Sequence, residues 1–561
     1  MSKNFNKLIP IFLVLFFSSI LIIDPLLKKG IFTAHDIETN ITYFGAFYNS
    51  LTEGNIFPRW SGNIANLYGS PTSMFFYPFS YYLSAPIRLL GFSLIDTTKI
   101  YLFLTFIGSS LFMYLWLKRH VNTLSAVLGA ILYVYAPYRI NDIYARGSVA
   151  ENTAFVFVPL VVYAIDLLWE KLSIKRMIFL ALILAAFILS HPFMLIVFAP
   201  FYLLYLLFLK PNLRKIIYLT ASSVFSLLVT AFYTIPLVFE NKYTHYDISP
   251  FNGKGYAEQF LTIEKLIMPV WNFIDIKGKL EYQTYQIGLL QIGLFLISII
   301  SLIFLWRRKG QRQKVMFLPI LGIINFFLSI FLMLPMSDFV YKIFSFLQRI
   351  EFPWRYLALN LFAVAVFTGG IFNLLHQTMT KIAILAVMLL GFYLYLPYSK
   401  GHDYKTISDD YYLYNIKENT DGFATLPKWA AQPDSYDRKP DRYKVISGEA
   451  KLTPLFRTST KHIFIVEATT TSRIADLTFY FPGWNVFLDK KPVDIEFQDP
   501  NYRGIITFNV EEGRHLLEVV FTNTKVRQLA DTISLSSIIF ICIAYIYADK
   551  IQKRLHRYSG L

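Results

Sequence analysis

The residues able to do chemistry in this chain are few, and they gather in short polar stretches. Thr33-Ala-His35-Asp36 runs on to Ile37-Glu38 soon after an apolar run at residues 8–27. A carboxylate that close to hydrocarbon is costly unless it faces water, a partner or a ligand. A second stretch reads Tyr138-Arg139-Ile-Asn-Asp142 and then Tyr144-Ala-Arg146-Gly-Ser-Val-Ala-Glu151. Acids and bases lying between two apolar runs can pair to lower their cost, and arginine has the planar fork suited to bidentate phosphate contact. His191-Pro192 divides two further apolar runs, and Gln348-Arg-Ile-Glu-Phe352-Pro-Trp-Arg355 puts an arginine on an aromatic platform at a helix entrance. Arg59 sits in Phe57-Pro-Arg-Trp60. Each has a plainer account: an interfacial anchor or ion pair for Arg59, Arg139 and Arg355, a helix-packing residue for His191, a helix cap or loop carboxylate for Asp36.

The elements that must position these residues are apolar. Of 561 residues, 55% are hydrophobic, 18% aromatic and only 16% charged, which is membrane rather than soluble usage. Runs long enough to cross a hydrocarbon core of roughly 30 Å recur along the chain. After an uncleaved first span at 8–27 they lie at 100–117, 124–137, 154–169, 177–190, 193–209, 216–235, 287–306, 315–334, 356–375, 382–396 and 532–547, so about twelve spans are expected.

The net charge of +16 distributes as the positive-inside rule requires. Lys and Arg mark the amino terminus, then 118–119, 171–176, 210–215, 307–314, Lys381 and finally 550–557. Alternate loops are thus cytoplasmic, both termini face the cytoplasm, and the polar residues singled out above fall together on the other side. Lys28 and Lys29 are a local exception. No basic stripe interleaved with aromatics forms a nucleic-acid footprint, so nucleic acid is not expected as a partner. The single cysteine, Cys542, excludes an intramolecular disulfide and a cysteine-based metal site.

The outward segments are the long ones: 28–98, whose aromatic, proline-broken tail suits the membrane surface, then 138–152, 240–285, 335–355 and above all 397–530. In the last, alternation at 462–467, 476–481 and 484–488 predicts half-buried strands. Pro482-Gly483, Asp489-Lys-Lys-Pro492 and Glu511-Glu-Gly513 supply the turns. The expected fold is a polytopic α-helical membrane protein with a C-terminal extracytoplasmic β-sandwich. Its parts are a transmembrane domain over 1–398, a mainly-β domain over 399–530, and a final span with a basic tail over 531–561.

Several of these motifs in this order, His35-Asp36, Pro58-Arg59-Trp60, Tyr68-Gly-Ser-Pro71, Phe76-Tyr-Pro78, Tyr144-Ala-Arg146 with Glu151, His191, Phe352-Pro-Trp-Arg355 and Phe481-Pro-Gly-Trp484, resemble bacterial membrane proteins described as "6-pyruvoyl-tetrahydropterin synthase related". That description belongs to a membrane domain, and no residue here suggests pterin chemistry. The chain is also similar to the GT-C superfamily of multi-spanning glycosyltransferases. The resemblance implies an inverting transfer of a sugar from a polyprenyl-phosphate donor to an extracytoplasmic glycan or protein acceptor in the cell envelope. It places the catalytic aspartate of the first outer loop at Asp36, as base, with Arg146 or Arg355 on the departing phosphate. His35, Glu38 and Glu151 would orient those groups or hold a divalent cation, magnesium or manganese, and Arg59, Tyr144 and His191 would support the substrate. The first outer loop lacks an Asp-x-Asp, a departure from metal-dependent relatives. Two other classes fit the same composition, a flippase or transporter of a lipid-linked glycan and a non-catalytic envelope-assembly protein. A transporter would place its polar residues mid-membrane in discontinuous helices of related halves, and the sequence shows no repeat.

Overall fold

The computed structural model describes residues 11–16, 18–19, 23–245, 255–268, 272–276, 279–283, 285–307, 316–395, 402–415, 424–431 and 442–552. The first expected span and the terminal basic residues therefore lie partly or wholly outside the described residues. Every later apolar run falls on a helix. Among the described residues, five helices are long and apolar enough to cross a membrane, or up to eight if each of three bent helix pairs is one span. The difference from about twelve comes from short and broken helices. Ile174–Ser190 and Pro192–Phe208 have 17 residues each, meeting at His191, and Leu213–Val229 turns by 70° into Ala231–Phe239.

Tyr356–Phe372 is the axis of the bundle. It is apolar all round and every one of its residues is buried, as a helix enclosed on all sides must be. Thr123–Val134, Leu289–Arg307, Phe317–Met333 and Pro192–Phe208 pack around it. Gly322 permits the closest of these approaches, since a Cβ there would stand 2.7 Å from Phe367 Cβ. Asn360 Nδ2 donates to Ser329 Oγ at 2.9 Å inside the bundle.

The segment 28–98 is more structured than its loop composition suggests. It carries strand β1 (Ile31–Thr33), the helix Ile37–Thr52 and the helix Phe79–Leu89 before the membrane-length helix Leu94–Leu117. Strand β1 does not end its sheet alone. Beyond β2 (Asn272–Ile276) and β3 (Lys279–Gln283), β4 (His402–Lys405) returns to pair antiparallel with it. The boundary expected near residue 398 is thus bridged by backbone hydrogen bonds.

The C-terminal region holds two antiparallel sheets. The strands are β5 (Tyr443–Ser447), β6 (Ala450–Arg457), β7 (Lys461–Ala468), β8 (Ser472–Phe479), β9 (Trp484–Leu488), β10 (Lys491–Val493), β11 (Ile505–Val510) and β12 (Gly513–Phe521). They are ordered β10-β9-β12-β7-β6 in one sheet and β11-β8-β5 in the other. β7 alternates in burial as its sequence predicts, whereas β8 is buried on nearly every residue. The reason is that segment 28–98 covers it: Tyr68 stacks on Phe479 at 5.1 Å and its carbonyl accepts from the Phe479 amide at 2.8 Å. Trp60 meets Trp484 edge-on at 5.4 Å, and Glu53 accepts from the Ser459 amide at 3.0 Å. The final helix, Lys525–Ile546, is fastened by a buried ion pair, Arg527 Nε to Glu240 Oε2 at 2.7 Å.

His462 on β7 donates to Asp476 on β8 across the two sheets at 2.8 Å, and Thr478 donates to the other carboxylate oxygen at 2.5 Å. Burial by itself would raise the Asp476 carboxyl, but His462, Arg457 and Thr478 hold it well below the usual carboxylate range. Burial also lowers the His462 imidazole, so it is neutral at pH 7. Both folded-state pKa values lie below their unfolded ones, so the unfolded chain binds more protons and stability falls with acid. The His462 contribution is lost as pH drops below about 6.5 and that of Asp476 below about 4. Thermal unfolding of the purified protein across pH 3–8 should show this loss, and Asp476→Asn should lower stability at pH 7 while flattening the acid limb.

Candidate functional site

The stretch between the helices Thr123–Val134 and Val149–Glu170 is not an aqueous loop. Pro137 starts a second helix, Pro137–Tyr144, bent 42° from the first, and residues 137–151 are all buried. Helical spacing then decides what meets. Tyr138, Asp142 and Arg146 recur at intervals of four, on one face. Glu151, in the first turn of the next helix, closes the set.

Glu151 is the acceptor at the centre. Tyr138 Oη donates to its Oε1 at 2.5 Å and Arg146 Nη1 to its Oε2 at 2.7 Å, while Arg355 Nε lies 3.5 Å from Oε2. Arg146 Nη1 also donates to Asp142 Oδ1 at 2.5 Å, and Asn152 donates to Asp142 Oδ2 at 2.7 Å. Buried charges survive only when paired and hydrogen-bonded; here Arg146 bonds both carboxylates, and Arg355 adds a second positive charge beside Glu151. The Trp354 ring lies 4.8 Å from the Arg146 guanidinium, and the Phe352 ring 4.9 Å from that of Arg355. Arg355 Nη1 donates to Ile350 O at 2.5 Å and lies 3.4 Å from Glu351 Oε2. Burial pushes the Glu351 carboxyl up, against the pull of Arg355.

Segment 28–98 docks onto this cluster through its backbone. The His35 amide donates to Ala145 O at 2.9 Å and the Asp36 amide to Arg146 O at 2.8 Å. Asn40 Nδ2 bridges Asp36 O and Gly147 O at 2.8 and 3.2 Å. Gly147, at φ +67°, allows the approach, because a Cβ there would come within 2.7 Å of the Ile37 amide nitrogen. Asp36 occupies the cap position of Ile37–Thr52, yet its side chain makes no capping hydrogen bond. The helix-cap account of this carboxylate therefore does not hold. Burial and the Arg146 charge lower the His35 imidazole to about 4, leaving it neutral at physiological pH.

His191 joins the same region. Its ring stacks on Tyr77 at 4.6 Å, and it is buried where the two 17-residue helices meet. The structure thus brings together His35, Asp36, Arg146, Glu151, His191 and Arg355. It places the others elsewhere. Arg59 holds Asp531 at 2.5 Å and Asn523 at 2.7 Å, tying segment 28–98 to the final helix. Glu38 pairs with Lys405 of β4 at 2.6 Å, and Tyr144 packs edge-on against Phe32 at 5.2 Å. Arg139 is neither an anchor nor an ion pair: its guanidinium sits 4.5 Å from each of the Phe106 and Phe155 rings.

Of the three residues expected to hold a divalent cation, Glu38 and Glu151 already carry cationic partners. No group of three or more His, Cys, Asp or Glu able to hold a metal ion occurs among the described residues. This donor set does not fit a resident cation. Tyr138, Asp142, Tyr77 and Trp354 lie within motifs quoted from the sequence but received no role at a site there. The spacing of four through Tyr138, Asp142 and Arg146 was the readable signal for the first two.

Removing Glu151 strands two buried arginines. Glu151→Gln is expected to cost about 3–5 kcal/mol of stability. Arg146→Met combined with it should cost less than the sum of the two single changes, as a double-mutant cycle of thermal unfolding in detergent would show.

A protein of Lactococcus lactis subsp. cremoris (strain MG1363), described as uncharacterized, is 27% identical over 262 residues, which is 44% of this chain and 42% of that protein. The chain therefore matches less than half the length of this relative. The family model for the 6-pyruvoyl-tetrahydropterin synthase related domain, a membrane protein family, matches residues 74–399. That match takes in His191, the Glu151 cluster and Arg355, and it covers more than half of the sequence: this chain is a membrane protein belonging to the 6-pyruvoyl-tetrahydropterin synthase related family.

Proposed function

We propose that the protein is a glycosyltransferase of the GT-C type, taking a sugar from a polyprenyl-phosphate donor and passing it with inversion to an envelope glycan or protein acceptor. The observation that carries this reading is the docking of His35-Asp36 onto the backbone of Ala145-Arg146. It sets a partly exposed carboxylate beside a buried cluster that contains two arginines.

The chemistry asked of these residues is simple. Asp36 accepts the proton of the acceptor hydroxyl as its oxygen forms the new bond to the anomeric carbon. The bond from that carbon to the phosphate oxygen breaks, and the lipid phosphate leaves with the electron pair. Arg355 stabilises that charge. Arg146 is the less suited of the two candidates, because Asp142 and Glu151 hold it at 2.5 and 2.7 Å, whereas the carboxylates nearest Arg355 stand at 3.4 and 3.5 Å. Its role is to hold the second stretch in the shape onto which Asp36 docks. No step passes through a metal.

In this reading the chain crosses the cytoplasmic membrane about twelve times with both ends inside. The two C-terminal sheets form an extracytoplasmic sandwich that supports the first outer segment. Support comes from the coincidence of each later apolar run with a helix and from the alternation of basic loops.

Purified protein in vesicles with a panel of radiolabelled polyprenyl-phosphate sugars should transfer label, and Asp36→Asn should lower the rate by about 10²–10⁴-fold. Transfer unaffected by that change removes Asp36 as the base, and lipid movement without transfer favours a flippase. The orientation has a separate test in a Cys542→Ala background. A cysteine at Ser408 or Thr425 should react with an impermeant maleimide on intact cells; reaction only after permeabilisation reverses the assignment.

A further inference from the structure

Phe317–Met333 is followed, across Leu334, by a segment bent 91° from it, comprising Pro335–Ser337 and the helix Asp338–Ile343. Its side chains divide into three sectors. Met336, Phe339 and Ile343, spaced three and four apart, point outward with 66%, 56% and 68% of their surface exposed. Ser337 and Tyr341, four apart, are fully buried against the bundle, where each donates to Leu332 O. Asp338 and Lys342, also four apart, form an ion pair at 2.5 Å on the remaining side. Phe344 and Phe346 extend the apolar sector, exposed by 50% and 54%. A short helix with protein, charged and naked apolar sides fits one environment, the boundary between hydrocarbon and water.

We infer that residues 335–346 lie in the plane of the membrane as an interfacial strap, with Met336, Phe339, Ile343 and Phe346 inserted among the lipid chains and the Asp338–Lys342 pair at headgroup level. The occupant of the apolar face is lipid. Continuity with an apolar helix decides this: a 91° turn at the end of Phe317–Met333 carries the chain along the bilayer surface, and the exposed apolar face belongs to that sideways segment. The strap has a mechanical consequence. It leads through Leu347 and Ile350, both buried, to Glu351 at φ +66° and then to Arg355. The bilayer surface therefore sets the depth at which Arg355 meets Glu151. This inference rests on the membrane character of the family and does not require sugar transfer.

The test uses the full chain carrying Cys542→Ala, with single Phe339→Cys, Ile343→Cys or, as an exposed reference on the β9–β10 turn, Lys490→Cys, each labelled with an environment-sensitive fluorophore. The protein is placed in phosphatidylglycerol and phosphatidylethanolamine vesicles containing nitroxide lipids of defined depth. Positions 339 and 343 should be quenched several-fold more by shallow nitroxides than position 490, and protected from iodide. Three results overturn the strap: iodide access at 339 and 343 equal to that at 490, quenching strongest with nitroxides at the bilayer centre, or shielding from both iodide and lipid together with energy transfer between copies, which would mean that a second copy covers the face.

Discussion

A carboxylate with no exposed surface must be neutralised where it stands, and Glu151 imposes that condition on everything around it. Its partners come from two separated parts of the chain: Tyr138 and Arg146 from the bent helix region before it, and Arg355 from the entrance to the central helix. Satisfying Glu151 fixes the path of 137–151, which in turn presents the Ala145 and Arg146 carbonyls to segment 28–98. The site is therefore positioned by charge pairing in a low-dielectric core more than by the loop that bears Asp36.

Around that core, long-range polar ties hold separate segments together. Arg59 with Asp531, Glu38 with Lys405, and Glu240 with Arg527 each join segments far apart in sequence. The aromatic contacts of Trp60, Tyr68 and Phe75 with the C-terminal strands add apolar area to the same junction. The β region is consequently a buttress for segment 28–98, while Arg59 and Glu38, two of the candidate ligands, are consumed in ties to the final helix and to β4.

Much of the fold was legible because apolar periodicity is strong: each apolar run from residue 100 onward is a helix, and β7 and β9 fall where alternation put them. What escaped was what tertiary contact decides. The helix Ile37–Thr52 buries 11 of its 16 residues, including Asn40 and two threonines, so its inward face does not read as apolar. β8 loses its alternation because Tyr68 covers its outer side. At the candidate site, the types of Asp36, Arg146, Glu151 and Arg355 could be read from the sequence. Their partners could not, since Arg59 and Glu38 are of the same residue types as the clustered residues and differ only in what folds against them. Arg139 shows the same limit: the two phenylalanines that enclose it lie on different helices.

The pairing of β1 with β4 sets Thr33 opposite His402, and the Thr33 hydroxyl donates to Asp403 O, 370 residues away. Contacts of such separation form late, because the intervening chain must first be ordered. During synthesis the bundle helices between them emerge and insert before residue 402 exists, so segment 28–98 waits without its partner strand. Arg59 waits longer still, since Asp531 is 472 residues downstream. The segment nearest the beginning of the chain is thus the last to be completed, and the surroundings of Asp36 become whole only when the rest of the protein is already in the membrane.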